Sequence, residues 1–259
     1  MNLYKIETLN KETDMKKINV TVWNEGYHER ESEDVRKVYP EGIQGCIASF
    51  MKEDEEIGTV RAFTMYDEEQ GFKEEDLADT DVLIYWAHCC HGSIEDKYVQ
   101  RIYEHVTRRG MGLILLHSAH ASKIFSKLCG TDTGDLRWRE SGDKERIWVM
   151  EPQHPICHNL PEYFELEHEE TYGERFVIPA PDALVFMSWF SGGEVFRSGV
   201  CYNRGYGKIF YFRPGHETFP TYYNATVQQV LKNAVKWAAP VNFPRMQTGW
   251  TPSLEDVQK

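Results

Sequence analysis

The chain has 259 residues, 41% of them hydrophobic and 27% charged, a composition typical of a folded protein with a sizeable core. Its 29 basic and 41 acidic residues give a formal net charge of −12, which argues against nucleic-acid partners and against anionic membranes, because both bind clustered Lys and Arg. Residues 1–20 lack the apolar segment of a secretory signal, and no window is apolar enough to span a membrane, so the sequence predicts a cytoplasmic protein.

The first half of the chain alternates between β-rich runs and segments with helical character. Residues 1–16 are polar and are expected to form a loose lead-in. Apolar, β-rich runs predict four strands, at Ile18–Trp23, Thr59–Phe63, Asp81–Ala87 and Gly112–Leu116. Helices are predicted at residues 31–39, 42–52 and 94–109, and from the turn at His120 to Leu128. This alternation is typical of a parallel sheet with helices on both faces.

The second half has several strands in succession. They are predicted at Ile147–Met150, Leu184–Trp189, Val195–Tyr202 and Lys208–Phe212, the last two joined by a hairpin turn at residues 203–207. A final helix is expected at Asn224–Ala238, followed by an extended tail over residues 240–259. Because no linker or repeat divides the chain, we predict one α/β domain over residues 1–259. Its fold is expected to be three-layered and flavodoxin-like, with a mostly parallel sheet and an antiparallel hairpin at one edge.

Six of the ten histidines follow the carboxyl ends of predicted strands, where open α/β sheets bind their ligands. They are His28, His88, His91, His117, His120 and His216. In a flavodoxin-like strand order, three of these ends are neighbours, so we expect His28, His88 and His117 to converge. Three imidazoles with an open fourth position suit zinc, and the sequence therefore predicts a divalent metal at these residues. The alternative is a polar pocket in which the histidines bind substrate hydroxyls.

The turn after Gly112–Leu116 is the kind of position at which an α/β enzyme displays a nucleophile. It offers His117 and Ser118 but no cysteine, and Ser118 lacks the Asp and His order of a serine hydrolase. Cys89 and Cys90 are adjacent, which would strain a disulfide, so we expect no redox role for them. The chain has no G-x-G-x-x-G after its first strand and no P-loop motif, so no nucleotide cofactor is expected.

An acidic pair and an aromatic residue at 169–172 form a second candidate binding segment. Glu170 would bind sugar hydroxyls while Tyr172 stacks on the sugar ring, although an ordinary solvated loop is the alternative. Trp86 would add an aromatic wall to the same pocket.

Several short motifs, taken together in this order, resemble the ThuA-like (trehalose utilisation) family, whose fold is that of the class I glutamine amidotransferases. The resemblance extends from about Lys17 to Ala238. The motifs are Gly26-Tyr27-His28-Glu29, the segment Gly112–Ala119, His154-Pro155-Ile156, Glu169-Glu170-Thr171-Tyr172 and Gly215-His216-Glu217. The resemblance implies a role in carbohydrate metabolism, associated with the oxidation of sugars to keto-sugars.

One departure from the amidotransferase pattern limits what the resemblance implies about activity. In that fold the elbow carries a cysteine nucleophile and a later loop carries His-x-Glu, whereas here the elbow holds His117 or Ser118, and His216 and Glu217 are adjacent. Without the thiolate that attacks the glutamine amide, no glutaminase activity is expected.

These observations together predict a hydrolase or isomerase of a sugar or keto-sugar. His117 and His216 are expected to be the acid/base pair, with Glu217 orienting His216. The residues expected to bind substrate are His28, Glu29, Trp86, Ser118, Glu170 and Tyr172. The alternative is a non-catalytic sugar-binding or regulatory protein on the same fold. The expected partner is a small carbohydrate, and the sequence leaves a homo-oligomer open.

Overall fold

The computed structural model describes residues 16–130, 136–242, 250–253 and 255–256. The strands found there, β1 to β9, are Ile18–Asn24, Ile57–Thr64, Val82–Ala87, Gly112–His117, Arg137–Val149, Tyr163–Gly173, Ala183–Phe190, Val195–Arg204 and Gly207–Phe212. The helices α1 to α7 are Tyr27–Glu31, Glu33–Val38, Gly42–Met51, Glu74–Ala78, Asp96–Glu104, Lys123–Cys129 and Ala225–Ala238. Residues 1–15 of the predicted lead-in and much of the predicted tail lie outside the described ranges. The described residues after 239 form no helix or strand.

All nine strands belong to one mixed sheet, in the order β2-β1-β3-β4-β9-β8-β7-β5-β6. The first five strands in this order pair in parallel, as the alternation of strand and helix predicts. The middle strands β3 and β4 are buried along their whole length, because side chains cover both of their faces.

Two hydrophobic clusters cover the two faces of this parallel half. Successive residues of β3 alternate between them, Ile84 in one and Leu83 and Tyr85 in the other, as the period-two geometry of a strand requires. Helices α3 and α7 contribute their apolar residues to the first cluster, and α5 and α6 contribute to the second. No helix among the described residues is long and apolar enough to cross a membrane.

The other half of the sheet is antiparallel, which corrects the prediction of a mostly parallel sheet with a hairpin at its edge. Strands β9, β8, β7, β5 and β6 pair antiparallel in that order. The β8–β9 hairpin lies in the middle of the sheet, since β9 also pairs with β4. The sequence pattern underestimates the length of β5 and does not predict β6. Both strands carry charged residues along much of their length and lack the apolar run of a buried strand.

The strand directions bring residues distant in sequence to one edge of the sheet. The carboxyl ends of β3, β4 and β9 lie there and, in the antiparallel half, so do the carboxyl end of β6 and the amino end of β5. In the register, Ala87 lies opposite His117, and Trp138 lies opposite Tyr172. Residues distant in sequence therefore meet where the parallel strands end.

Candidate functional site

A buried group of three histidines and one glutamate lies at this edge of the sheet. His88 follows β3, His117 is the last residue of β4, and His216 and Glu217 lie in the loop after β9. The three imidazole rings are 5.0 to 5.3 Å apart between centroids. One ring nitrogen or carboxylate oxygen of each residue lies within 4.8 Å of the corresponding atoms of the other three. We call these four residues the histidine cluster.

His117 occupies the sharp turn at the end of β4. Its backbone has φ 56° and ψ −125°, a conformation that costs a non-glycine residue about 1–3 kcal/mol. Strained corners of this kind, between a strand and a helix, present the nucleophile in α/β hydrolases. The imidazole is fully buried and stacks on Trp86 at 5.8 Å between ring centroids. Of the two residues that the sequence offers for the elbow, His117 is therefore the one that occupies it.

Two of the clustered imidazoles each use one nitrogen for a contact within the protein. His117 Nδ1 lies 3.4 Å from the carbonyl oxygen of Arg213, and His216 Nδ1 lies 2.8 Å from Thr218 Oγ1. The Nε2 atoms of both rings are buried and have no hydrogen-bond partner among the described residues, although His117 Nε2 is 3.4 Å from Glu170 Oε2. Both rings therefore hold a second nitrogen inside the protein that the protein itself does not satisfy.

Burial and charge set the protonation of the cluster. Burial lowers the pKa of His216 to about 4 and holds the pKa of His117 well below its usual value. Burial opposes ionisation of Glu217, but its contacts with His88 and the charges of nearby histidines outweigh burial and lower its pKa to about 2. Burial lowers the pKa of His88, but the contact with the Glu217 carboxylate outweighs that effect, so the pKa of this ring is raised. At neutral pH two imidazoles are thus neutral and lie beside an ionised carboxylate.

His28 lies next to the histidine cluster rather than within it. Its Nδ1 is 3.3 Å from Glu217 Oε1, and its Nε2 is 3.1 Å from His88 Nδ1. On its other side His28 forms a second group with Glu25 and Cys89, whose Sγ is 3.4 Å from His28 Nε2. The sequence predicts that His28, His88 and His117 converge, and the structure brings the last two together with His216 and Glu217 instead.

A cavity of about 230 Å³ lies beside the cluster and is bounded by both halves of the sheet. Its lining includes His88, Ser118, Trp138, Glu140, Glu170 and Tyr172. Burial raises the pKa of Glu170 to about 7. Ser118 Oγ and Tyr172 Oη are 2.5 Å apart, and the Tyr172 ring stacks on His117. A larger and more open depression of about 680 Å³ between α5 and α6 contains none of the clustered residues.

Trp138 and Glu140 are cavity residues that the sequence analysis does not single out. They belong to β5, and the Trp138 side chain is 62% exposed although it is large and apolar. An exposed indole beside carboxylates is typical of a surface that stacks on a ligand ring. The only signal in the sequence is a tryptophan flanked by charged residues, which points to exposure but not to a particular site.

Two residues predicted to bind substrate have partners within the protein. Trp86 is fully buried, and its indole N–H donates to the carbonyl oxygen of Gly215 at 2.9 Å. Glu29 accepts hydrogen bonds from the Asn24 side chain at 2.5 Å and from the backbone N–H of Ile43 at 3.1 Å. In this structure Trp86 supports the loop after β9, and Glu29 connects the end of β1 to the start of α3.

A buried ionic network that the sequence analysis also misses lies next to the cluster. The guanidinium of Arg213 pairs with Glu145 of β5 and lies 3.2 Å from Glu169 of β6, and all three side chains are fully buried. It also donates to the carbonyl oxygen of Glu170 at 2.6 Å. Glu169 in turn accepts from the backbone N–H of Gly215 at 3.0 Å. The network therefore fixes β6, with Glu170, against the loop that carries His216 and Glu217.

Comparison with solved structures places this fold among known ones. A protein described as ThuA-like from Parabacteroides merdae matches with a TM-score of 0.61 and 15% identity, over 90% of this chain and 93% of its own. A second protein described as ThuA-like, from Bacteroides uniformis, matches with a TM-score of 0.56 and 16% identity, over 85% and 90% of the two chains. A cytoplasmic protein from Salmonella typhimurium matches with a TM-score of 0.55 and 14% identity, over 86% and 100%.

At these identities the matches show a shared α/β fold and nothing further. Among curated proteins no match is significant. The family model for ThuA, described as trehalose utilisation, matches residues 19–238, which is almost the whole span over which the sequence motifs predict this family. The chain therefore belongs to the ThuA family, whose description points to a role in carbohydrate metabolism.

Proposed function

We propose that this protein acts on a sugar or keto-sugar bound in the cavity beside the histidine cluster. The observation that carries the proposal is the position of Glu170, which lines the cavity and lies 3.4 Å from His117 Nε2. A carboxyl group at this place contacts a bound molecule on one side and the buried histidines on the other. The trehalose-utilisation description of the family supports a carbohydrate as that molecule.

The charge of the cavity favours a neutral ligand. Among the described residues that line it are the carboxyl groups of Glu140 and Glu170, and none is Lys or Arg. A phosphorylated or carboxylated sugar would find no lysine or arginine there to pair with, and it would lie close to the Glu140 carboxyl group. The cavity is also smaller than the roughly 300–1,000 Å³ of pockets for drug-sized ligands, which suits a single sugar ring stacked on Trp138.

The reaction that this geometry suits is hydrolysis or proton transfer at a carbon next to a ketone. Both need a group that gives or takes a proton within hydrogen-bond distance of the reacting atom. We assign that role to Glu170, which lines the cavity, whereas the sequence predicts His117 and His216 as the acid/base pair with Glu217 orienting His216. The His117 imidazole contacts Glu170, and Thr218 Oγ1, 2.8 Å from His216 Nδ1, orients His216. The Ser118 and Tyr172 hydroxyls, 2.5 Å apart, are placed to bind sugar oxygens.

The test compares disaccharides that carry a ketone in place of one ring hydroxyl with the unmodified sugars, trehalose included. We expect turnover of a keto-sugar by the wild type and a loss of about 10²–10⁴ in kcat for Glu170→Gln, which keeps the shape of the side chain but cannot shuttle a proton. Glu167→Gln, on the same strand but with a 76% exposed side chain, is the matched control and should retain activity.

Two results would contradict the proposal. Turnover that survives Glu170→Gln unchanged would remove Glu170 from the chemistry. Saturable binding of a sugar with no turnover of any sugar or keto-sugar would identify the alternative function, a sugar-binding or regulatory protein.

A further inference from the structure

We propose that His88, His117, His216 and Glu217 form a binding site for one divalent metal ion, with zinc the favoured ion. Three imidazoles and one carboxylate are a ligand set that zinc takes in proteins. The candidate ligand atoms already lie within 4.8 Å of one another, and three separate strand ends contribute them. This set differs from the one that the sequence predicts, because His216 and Glu217 take the place of His28.

Unsatisfied nitrogens are the first independent support for this site. The Nε2 atoms of His117 and His216 are shielded from solvent and lack a hydrogen-bond partner among the described residues. A buried polar atom left in that condition destabilises the folded protein. Because neutral imidazole nitrogen is a good ligand, a cation between the rings would satisfy both atoms at once.

The contacts on the far side of the same rings are the second support. Metal-binding histidines usually engage their other nitrogen with an oxygen of the protein, which fixes the orientation of the ring. His117 does so through the Arg213 carbonyl oxygen. Thr218 holds His216 Nδ1 through its side-chain Oγ1 at 2.8 Å and through its backbone N–H, which donates to Nδ1 at 3.3 Å. His28 contacts the Glu217 carboxylate in the same supporting way, since its Nδ1 lies 3.3 Å from Glu217 Oε1. We therefore infer that His28 is a positioning residue for Glu217.

The position of the cluster suggests what the ion would do. His88 and Glu170 both line the cavity, so an ion bound by His88 would be reachable by a bound molecule. A zinc ion held at that place would supply a Lewis acid for a substrate carbonyl oxygen. This last step rests on the proposed keto-sugar substrate, whereas metal binding itself does not.

The full chain is purified without a histidine tag and dialysed against a chelator. It is then titrated with zinc chloride, and the heat of binding is measured by calorimetry. Metal content is measured in parallel by elemental analysis. We expect about one zinc ion per chain. His88→Ala and Glu217→Gln should each weaken zinc binding at least about 100-fold, the upper part of the range seen even for residues that support metal ligands. The His88 side chain is 18% exposed, more than the other three, so its replacement is the milder change for folding. Circular dichroism checks that both variants fold.

Two further variants separate the alternatives. His158→Ala replaces an exposed histidine outside the site and should bind zinc like the wild type. Cys89→Ser removes the thiol of the neighbouring group that Glu25 and His28 complete, and zinc binding should persist. Zinc binding that is lost in Cys89→Ser but kept in His88→Ala would overturn the assignment.

The absence of bound zinc and of any heat of binding in the wild type would also overturn the proposal and leave the histidines as acid/base groups. Because the titration contains no sugar, this outcome is independent of the keto-sugar assay. The proposed substrate and the proposed metal centre can therefore fail separately.

Discussion

His117 shows how one residue at a strained corner changes the chemistry open to a fold. The sequence motifs imply a resemblance to the class I glutamine amidotransferases, in which a cysteine thiolate at the elbow attacks the amide of glutamine. Here the elbow holds a fully buried imidazole whose pKa is far below its usual value because of that burial. A neutral imidazole in this position can bind a metal ion or accept a proton, but it is a poor substitute for a thiolate.

We therefore predict that this protein does not hydrolyse glutamine. The measurement is ammonia release from glutamine, with heat-inactivated protein as the blank. Release above the blank would show that another nucleophile reaches the amide and that the elbow has been misinterpreted.

Cys89 and Cys90 provide a second test at the scale of single residues. Partial burial and the Glu25 carboxylate raise the pKa of the Cys89 thiol well above its usual value, so almost no thiolate forms at neutral pH. The double variant Cys89→Ala, Cys90→Ala should keep the fold and stay within about twofold of wild-type kcat, because neither thiol is ionised for attack. A loss beyond tenfold at unchanged melting temperature would revive a thiol mechanism.

Which residues belong to the site was easier to predict from the sequence than which of them contact one another. His88, His117 and His216 follow strand ends, and strand ends are recognisable as the limits of apolar runs. Which way each ring points depends on contacts such as the bond between His216 and Thr218, and no pattern in the sequence encodes these contacts. For the same reason Trp138 escapes notice, since only the pairing of β5 with β6 places it beside Tyr172.

At the scale of elements, β5 and β6 decide how the site is assembled. Their polar sequences gave little strand signal, yet they carry Glu145, Glu169 and Glu170 to the edge where the parallel strands end. Buried strands such as β3 and β4 could be predicted because both of their faces are apolar. A half-exposed strand in a mixed sheet can be predicted only when the strand that pairs with it is known. Arg213 is the contact that fixes these two strands to the parallel half.

Replacing Arg213 with methionine should strongly destabilise the protein. The change leaves Glu145 and Glu169 as unpaired buried carboxylates, and breaking a buried pair from one side typically costs about 3–5 kcal/mol. Urea denaturation measures the free energy of unfolding, and Arg108→Met, at a 53% exposed side chain, is the matched control. If the two variants lose a similar amount of unfolding free energy, the buried ionic network contributes little to stability.

Glu174, just after β6, offers a test that depends on pH. Its carboxylate accepts hydrogen bonds from the backbone N–H of Phe176 and from the guanidinium of Arg197. Burial opposes ionisation of Glu174, but these bonds outweigh it and lower its pKa below the usual value. A lowered pKa means that the ionised side chain stabilises the fold above the unfolded-state pKa, and that this stability is lost as the pH falls through the folded-state pKa.

Glu174→Gln should therefore lower the free energy of unfolding by about 1.5–3 kcal/mol at neutral pH, the size of a hydrogen bond to a charged group. The difference between variant and wild type should shrink once the pH falls below about 4.3, where free glutamate protonates. Denaturation midpoints measured across that range check the expectation. A difference that stays constant with pH would assign the effect to packing rather than to charge.

At the scale of the whole molecule, a single strand joins the parallel and the antiparallel halves of one sheet. β9 pairs in parallel with β4 and antiparallel with β8. The candidate site takes its histidines from the parallel half and the opposite wall of its cavity from the antiparallel half. The wall on β5 and β6 can therefore vary in sequence and change which ligand fits without altering the cluster.

The same strand has a consequence for how the chain is made. β4 is complete at residue 117, but β9, which covers one of its sides, begins only at residue 207. At the usual rate of translation, that side of an apolar strand stays uncovered on the ribosome for on the order of ten seconds. Uncovered strand edges pair with other chains, so we expect the emerging protein to be prone to aggregation over this interval.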